Sequence, residues 1–240
     1  MMFLKAVSAA RLEGLVTTNL SFYLSAHDTD SYPGTGITWT DISTNQNKAI
    51  LTNGPVYSAN DGGYIDFDGT NDYADATGTT GSPFNFGTGT FTLEYWVYYD
   101  TAANPMTIID WRRRDINNSS NEGLVDTRST GRNWRYFYKT GFILTSTGTL
   151  SDGVWHHVAL VRNSTGTNDT KLYINNVLDS SHTWNYTISD YNNFYLGRNK
   201  ETTTPYLNGR IAQIRAYKGS ALTPAQITQN WNAHRRLYGR

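Results

Sequence analysis

The nine residues FTLEYWVYY (Phe91–Tyr99) decide the fold. An extended strand turns successive side chains to opposite faces, so Phe91, Leu93, Tyr95, Val97 and Tyr99 share one face and Thr92, Glu94, Trp96 and Tyr98 the other. Both faces carry bulk, which places this strand centrally in a sheet covered on both sides. Outward from it, further β-forming runs recur at short intervals: Leu20–Leu24, Tyr64–Phe67, Met106–Trp111, Trp134–Lys139, Phe142–Ser146, Val154–Arg162, Lys171–Ile174, Phe194–Leu196 and Arg210–Tyr217. So many short strands predict an all-β chain, a two-sheet sandwich. In KLYINNVLD (171–179) the pair Asn175-Asn176 stands between two β runs, and Asn tolerates the positive φ of a two-residue hairpin turn. One short C-terminal helix is expected. Thr223 can cap it, Pro224 suits its first position, Gln226 completes a capping box, and Ile227 and Trp231 share one face.

Composition agrees and excludes several classes. A chain of 240 residues buries a sizeable core without staples, and its lack of cysteine rules out a disulfide framework, Cys-ligated zinc, iron–sulfur clusters and a thiol nucleophile. Twenty Lys and Arg balance twenty Asp and Glu, so broad electrostatic capture of nucleic acid or an anionic membrane is not expected. No apolar run reaches the length of a membrane span, and none inserts into a bilayer. Aromatic residues make up 14 % of the chain, a share that suits pleated, half-buried surfaces and argues against disorder. No linker or repeat divides the sequence. The expected organisation is an N-terminal arm over 1–19, the sandwich over 20–222, and a helix and tail over 223–240 packed on it. Lys5 and Arg11 interrupt the apolar start MMFLKAVSAA, which therefore reads as a retained arm.

Five blocks resemble, in order, the laminin-G-like branch of the concanavalin A-like lectin/glucanase superfamily: FDGTNDY (67–73), GTFTLEYWV (89–97), DGVWHHVALVR (152–162), KLYINNVL (171–178) and NGRIAQIRAYKGSALTPAQI (208–227). Three others, SYPGTGITWTDIS (31–43), AILTNGP (49–55) and QNWNAHRRLYG (229–239), are similar to single-domain laminin-G-like proteins of tailed phages. The resemblance implies that the sandwich is an antiparallel jelly roll, and that the chain is a virion structural protein, a capsid decoration or tail-fibre appendage on the virion surface, made in the host cytoplasm. Its partners would be major capsid or tail proteins and cell-surface glycans, and such proteins usually form symmetric homo-oligomers. The alternative is a free carbohydrate-binding, adhesive lectin-like protein.

Glucanases of that superfamily carry an E-x-D-x-x-E strand motif, which is missing here. The glutamates are Glu13, Glu94, Glu122 and Glu201, and Glu94 has no carboxylate partner on its strand, whereas glycoside hydrolysis needs two carboxyl groups. No enzymatic activity is expected. His156 and His157 are adjacent on a strand and point to opposite faces, so they cannot share a metal.

No cofactor is required. Calcium is the one candidate, with Asp68 and Asp72 of the DGTND turn as its ligands. Laminin-G-like relatives commonly hold that ion with an acidic pair after G-x-I, where this chain has Ala212 and Gln213, and a turn bonded to its own backbone is the competing reading. Glycan-binding candidates are Trp134, Tyr136 and Tyr138, which share a strand face, followed by Trp111, Trp184 and Tyr186; filling the core is their alternative role. The basic clusters Arg112, Arg113, Arg114 and Arg235, Arg236 are candidates for docking on acidic surfaces of neighbouring virion subunits.

Overall fold

A computed structural model describes residues 14–77, 80–100, 105–111, 124–138, 141–188, 193–199 and 206–240. In chain order its strands are β1 (Leu20–Ser25), β2 (Thr38–Thr40), β3 (Lys48–Thr52), β4 (Val56–Ser58), β5 (Tyr64–Asp68), β6 (Tyr73–Thr77), β7 (Phe91–Tyr99) and β8 (Met106–Asp110). There follow β9 (Leu124–Arg128), β10 (Asn133–Tyr138), β11 (Gly141–Thr149), β12 (Trp155–Arg162), β13 (Thr170–Ile174), β14 (Val177–His182), β15 (Asn193–Leu196) and β16 (Asn208–Lys218). They form two eight-stranded antiparallel sheets. The first runs β14-β13-β12-β7-β16-β5-β4 with β1 also on β16, and the second runs β11-β10-β9-β8-β15-β6-β3-β2.

The decisive strand β7 is central, paired with β12 on one side and β16 on the other. Its Phe91, Leu93, Tyr95, Val97 and Tyr99 enter the core between the sheets, as the alternation requires. The far edge of β16 is shared. β5 pairs with Asn208–Ile211, β1 pairs with Gln213–Tyr217, and the register shifts around Ala212 between them. The G-x-I start of β16 has a steric reason. Gly209 lies at φ 153°, where a Cβ would sit 2.2 Å from the Tyr98 carbonyl oxygen, so only glycine lets the two backbones approach.

The inter-sheet core is aromatic. Phe86 stacks on Phe91 at 4.3 Å, and Phe84 meets Phe194 edge-on at 4.7 Å. Ala49, Ala74 and Ala76 of the second sheet also line this core, and small residues facing large ones let the layers interdigitate.

The outer face of the first sheet is covered by the helix α1 (Pro224–His234), the tail that follows it, and the chain entering β1. Thr223 Oγ1 accepts from the Gln226 N–H at 3.3 Å, and the Gln226 side chain accepts from the Thr223 N–H at 2.9 Å, which completes the capping box. Ile227 packs against Val161, Tyr173 and Tyr217, while Trp231 stacks on Trp96 at 5.1 Å. Burying a side chain such as Ile227 contributes about 1.5–3 kcal/mol. Among the described residues no helix is long and apolar enough to cross a membrane.

Candidate functional site

Among the described residues, the densest cluster of ionisable groups lies between β7, β12, β16 and α1. Glu94 Oε1 accepts from His157 Nε2 at 2.7 Å and from Arg215 at 2.9 Å, and its Oε2 accepts from Asn230 Nδ2 at 2.8 Å. Asn230 Oδ1 in turn accepts from the Val16 N–H at 2.8 Å. Burial alone would raise the Glu94 carboxyl, but the adjoining Arg215 charge and the His157 bond outweigh it and hold the group at about 2. A carboxylate, a histidine and an arginine in contact look like catalytic machinery. However, Glu94, His157, Arg215 and Asn230 are all fully buried under α1, and a substrate has no approach to them. The cluster fastens the helix and the entering chain to the sheet.

The aromatic candidates need correction. Trp134, Tyr136, Trp111 and Trp184 are inside the inter-sheet core, so a sugar ring does not reach them. The Trp134 Nε1–H donates to the Tyr95 hydroxyl and the Tyr136 ring packs edge-on against Trp134, which is why this stripe faces inward. Tyr186 is at the surface, and its carbonyl accepts from Arg162 at 3.0 Å. The side chain of Tyr138 and residues Arg112, Arg113 and Arg114 lie outside the described residues, as do residues 1–13 of the arm. Arg236 is exposed, and Arg235 bonds Asn232 Oδ1 at 2.9 Å.

The calcium candidates each bond their own turn through one carboxylate oxygen. Asp68 Oδ1 accepts from the N–H groups of Thr70 at 2.8 Å and Asn71 at 3.2 Å, and Asp72 Oδ2 accepts from the Asp68 N–H at 3.2 Å. Burial raises the Asp68 carboxyl, but these N–H bonds outweigh it and hold the group below the usual range. Calcium takes six to eight oxygens, and among the described residues no group of three or more His, Asp or Glu is placed to hold a metal. Asp68 and Asp72 by themselves supply fewer oxygens than the ion takes.

Part of the outer face of the second sheet, across β2, β3, β6 and β15, is open. Thr38, Ile50, Asp75 and Tyr195 lie opposite one another across β2, β3, β6 and β15, and all four are at least partly exposed. Tyr73 shares their face and meets Tyr195 edge-on at 5.8 Å. The Arg198 guanidinium lies 4.6 Å from the Tyr73 ring centroid, 5.0 Å from that of Tyr195 and 5.9 Å from that of Tyr206. Gly197 sets this position. Its N–H donates to the Ile108 carbonyl at 2.9 Å, its carbonyl accepts from Leu207 at 2.8 Å, and its φ of 80° ends β15 against the Phe67 ring. Half-exposed tyrosine rings with polar rims suit the flat apolar face of a sugar. Sequence reasoning passed over this group. The signal was present in NFYL (193–196), where Phe194 and Leu196 face the core and alternation sends Tyr195 outward.

A second concavity, of about 430 Å³, lies between β11 and β14 and is lined by Thr147, Ile174, Val177, Leu178 and Asp179. Its carboxylate, Asp179, already accepts from the N–H groups of Thr147 at 2.8 Å and Gly148 at 2.7 Å.

Residues 68–228 match the family described as the concanavalin A-like lectin/glucanases superfamily. The fold is also found in Trypanosoma rangeli sialidase, solved in complex with 2,3-difluoro-KDN, with a TM-score of 0.68 and 17 % identity over 92 % of this chain and 34 % of that one. It recurs in the botulinum neurotoxin serotype D binding domain, with a TM-score of 0.67 and 13 % identity over 89 % of this chain and 52 % of that one. The chain thus spans about a third of the sialidase and half of the toxin domain, and at these identities the likeness is one of fold. No curated protein sequence matches significantly.

Proposed function

The chain belongs to the concanavalin A-like lectin/glucanases superfamily, and from that premise we propose that it is a non-catalytic carbohydrate-binding domain whose ligand lies on the outer face of the second sheet. The observation that carries this reading is the half-exposed group Tyr73, Tyr195 and Tyr206 around Arg198. The buried Glu94 cluster supports the non-catalytic part, since helix α1 covers it. Calorimetric titration with neutral hexose oligomers tests the reading. Replacing Tyr73 or Tyr195 by Ala weakens binding about fivefold, the size of one aromatic contact. Affinity unchanged in both variants, or release of reducing ends on prolonged incubation, overturns it.

We further propose that the domain is displayed on a phage particle, as a capsid decoration or tail appendage. The supporting features are the similarity of residues 31–43, 49–55 and 229–239 to single-domain phage proteins and the exposed Arg236 of the tail. Immunogold labelling of purified particles tests this. Gold over heads or tails is the expected result, and unlabelled particles leave the free lectin-like protein as the reading.

A further inference from the structure

We infer that the sugar taken by the outer face of the second sheet carries a carboxylate, seated on the Arg198 guanidinium while the ring lies against the tyrosines. This rests on the carbohydrate-binding reading above. The argument starts from where the arginines spend their donors. Arg215 pairs with Glu94 and Arg132 with Asp152, each below 3 Å, and Arg128 bonds the Leu150 carbonyl and the Asp152 carboxylate. Arg162 donates to the carbonyls of Gly87, Gly89 and Tyr186, and Arg210 bonds Asp100 at 3.2 Å.

Arg198 differs. It is half-buried, yet among the described residues its one hydrogen bond runs from Nε to the Asn199 carbonyl at 3.2 Å, which leaves the donors of its two terminal nitrogens to a ligand. The rings of Tyr73, Tyr195 and Tyr206 surround the guanidinium and hold it in place. A planar fork with its terminal N–H groups open matches a carboxylate in two parallel bonds. The surrounding rings displace water from the cation and strengthen its attraction for an anion. Because they also restrict the side chain, less conformational freedom is lost when the anion arrives.

The charge around Arg198 narrows the ligand further. Asp75 and Asp110 flank Tyr195 in register on neighbouring strands, and the chain as a whole is neutral. Among the described residues Arg198 is the one cation placed over these rings, so recognition is of a single carboxylate beside a sugar ring, the chemistry of a uronic acid residue.

The test is calorimetric titration of the full chain with trigalacturonate and, as its uncharged counterpart, a neutral galactose trimer. The acidic trimer should bind about tenfold more tightly, the size of one charge-assisted hydrogen-bonded contact. Arg198→Gln should bring the two affinities together. Arg198→Lys, which keeps the charge and loses the fork, should leave a preference of about threefold. Thermal melts of both variants establish that they are folded. Equal affinities in the wild type, or a preference that survives in folded Arg198→Gln, overturn the inference. If both trimers bind equally and Tyr73→Ala weakens both, the inference falls and the carbohydrate-binding reading stands. If neither trimer binds, both fall.

Discussion

Glu94 is reached by groups from separate segments, His157 of β12, Arg215 of β16 and Asn230 of α1, and each bond removes a polar atom that would otherwise lie buried and unpaired. This makes stability depend on pH in a definite direction. The Glu94 carboxyl lies at about 2 in the folded chain against 4.5 when free, so its contribution is complete above pH 4.5 and is lost as the pH falls toward 2. Burial, assisted by nearby arginines, lowers His234 to about 3 and His156 to about 4, from 6.5. Below pH 6.5 the unfolded chain therefore binds protons that these histidines refuse when folded, and each costs up to about 1.4 kcal/mol per pH unit. Urea denaturation across a pH series should show stability falling from about pH 6.5 downward, with a shallower slope in His234→Asn. A flat profile from pH 7 to 4 would contradict the burial of these rings. Single residues also mark the limit of sequence reading. The period of NWRYFY shows that Trp134 and Tyr136 share a face, but which face lies inside depends on β7, whose Tyr95 meets Trp134 across the core.

At the scale of elements, sequence reading succeeds where both faces of a strand carry bulk, as in β7, β12 and β16, whose residues are nearly all buried. It overlooks β2, β3, β4, β6 and β9. β2 and β4 have only three residues each, and β6 (YADAT) turns Ala74 and Ala76 to the core, small side chains that give no hydrophobic signal. These strands exist because neighbours supply their pairing and the aromatic residues of other strands fill the space beneath them. The helix was fully legible, since its start is local chemistry: Thr223, Pro224 and Gln226 act within one turn. Thr223→Ala should therefore cost about 1 kcal/mol in chemical denaturation, with faster amide exchange concentrated in the first turn of α1. Equal acceleration throughout the sandwich would instead mean that the helix and sheet open as one unit.

Over the whole molecule the two sheets serve different ends: the first has its outer face sealed by α1, and the second keeps part of its own open around Arg198. The overall sandwich could be read from the number and spacing of strands, while the open site could not. Arg198 and Tyr206 follow β15 and reach Tyr73 only once β15 has paired with β6, a juxtaposition that no local pattern encodes. The shared edge of β16 has a consequence in time. As the chain leaves the ribosome, β1, β5 and β7 are all made long before the strand that joins them, with Leu20 waiting for Tyr217 and Ile65 for Ile211. Their unpaired edges are exposed to other chains throughout that interval, and closing such distant contacts makes folding slow, on the order of milliseconds to seconds. Ribosome-stalled chains ending before Asn208 should accordingly be digested readily by protease and held by chaperones, and resistance should appear in one step when β16 emerges.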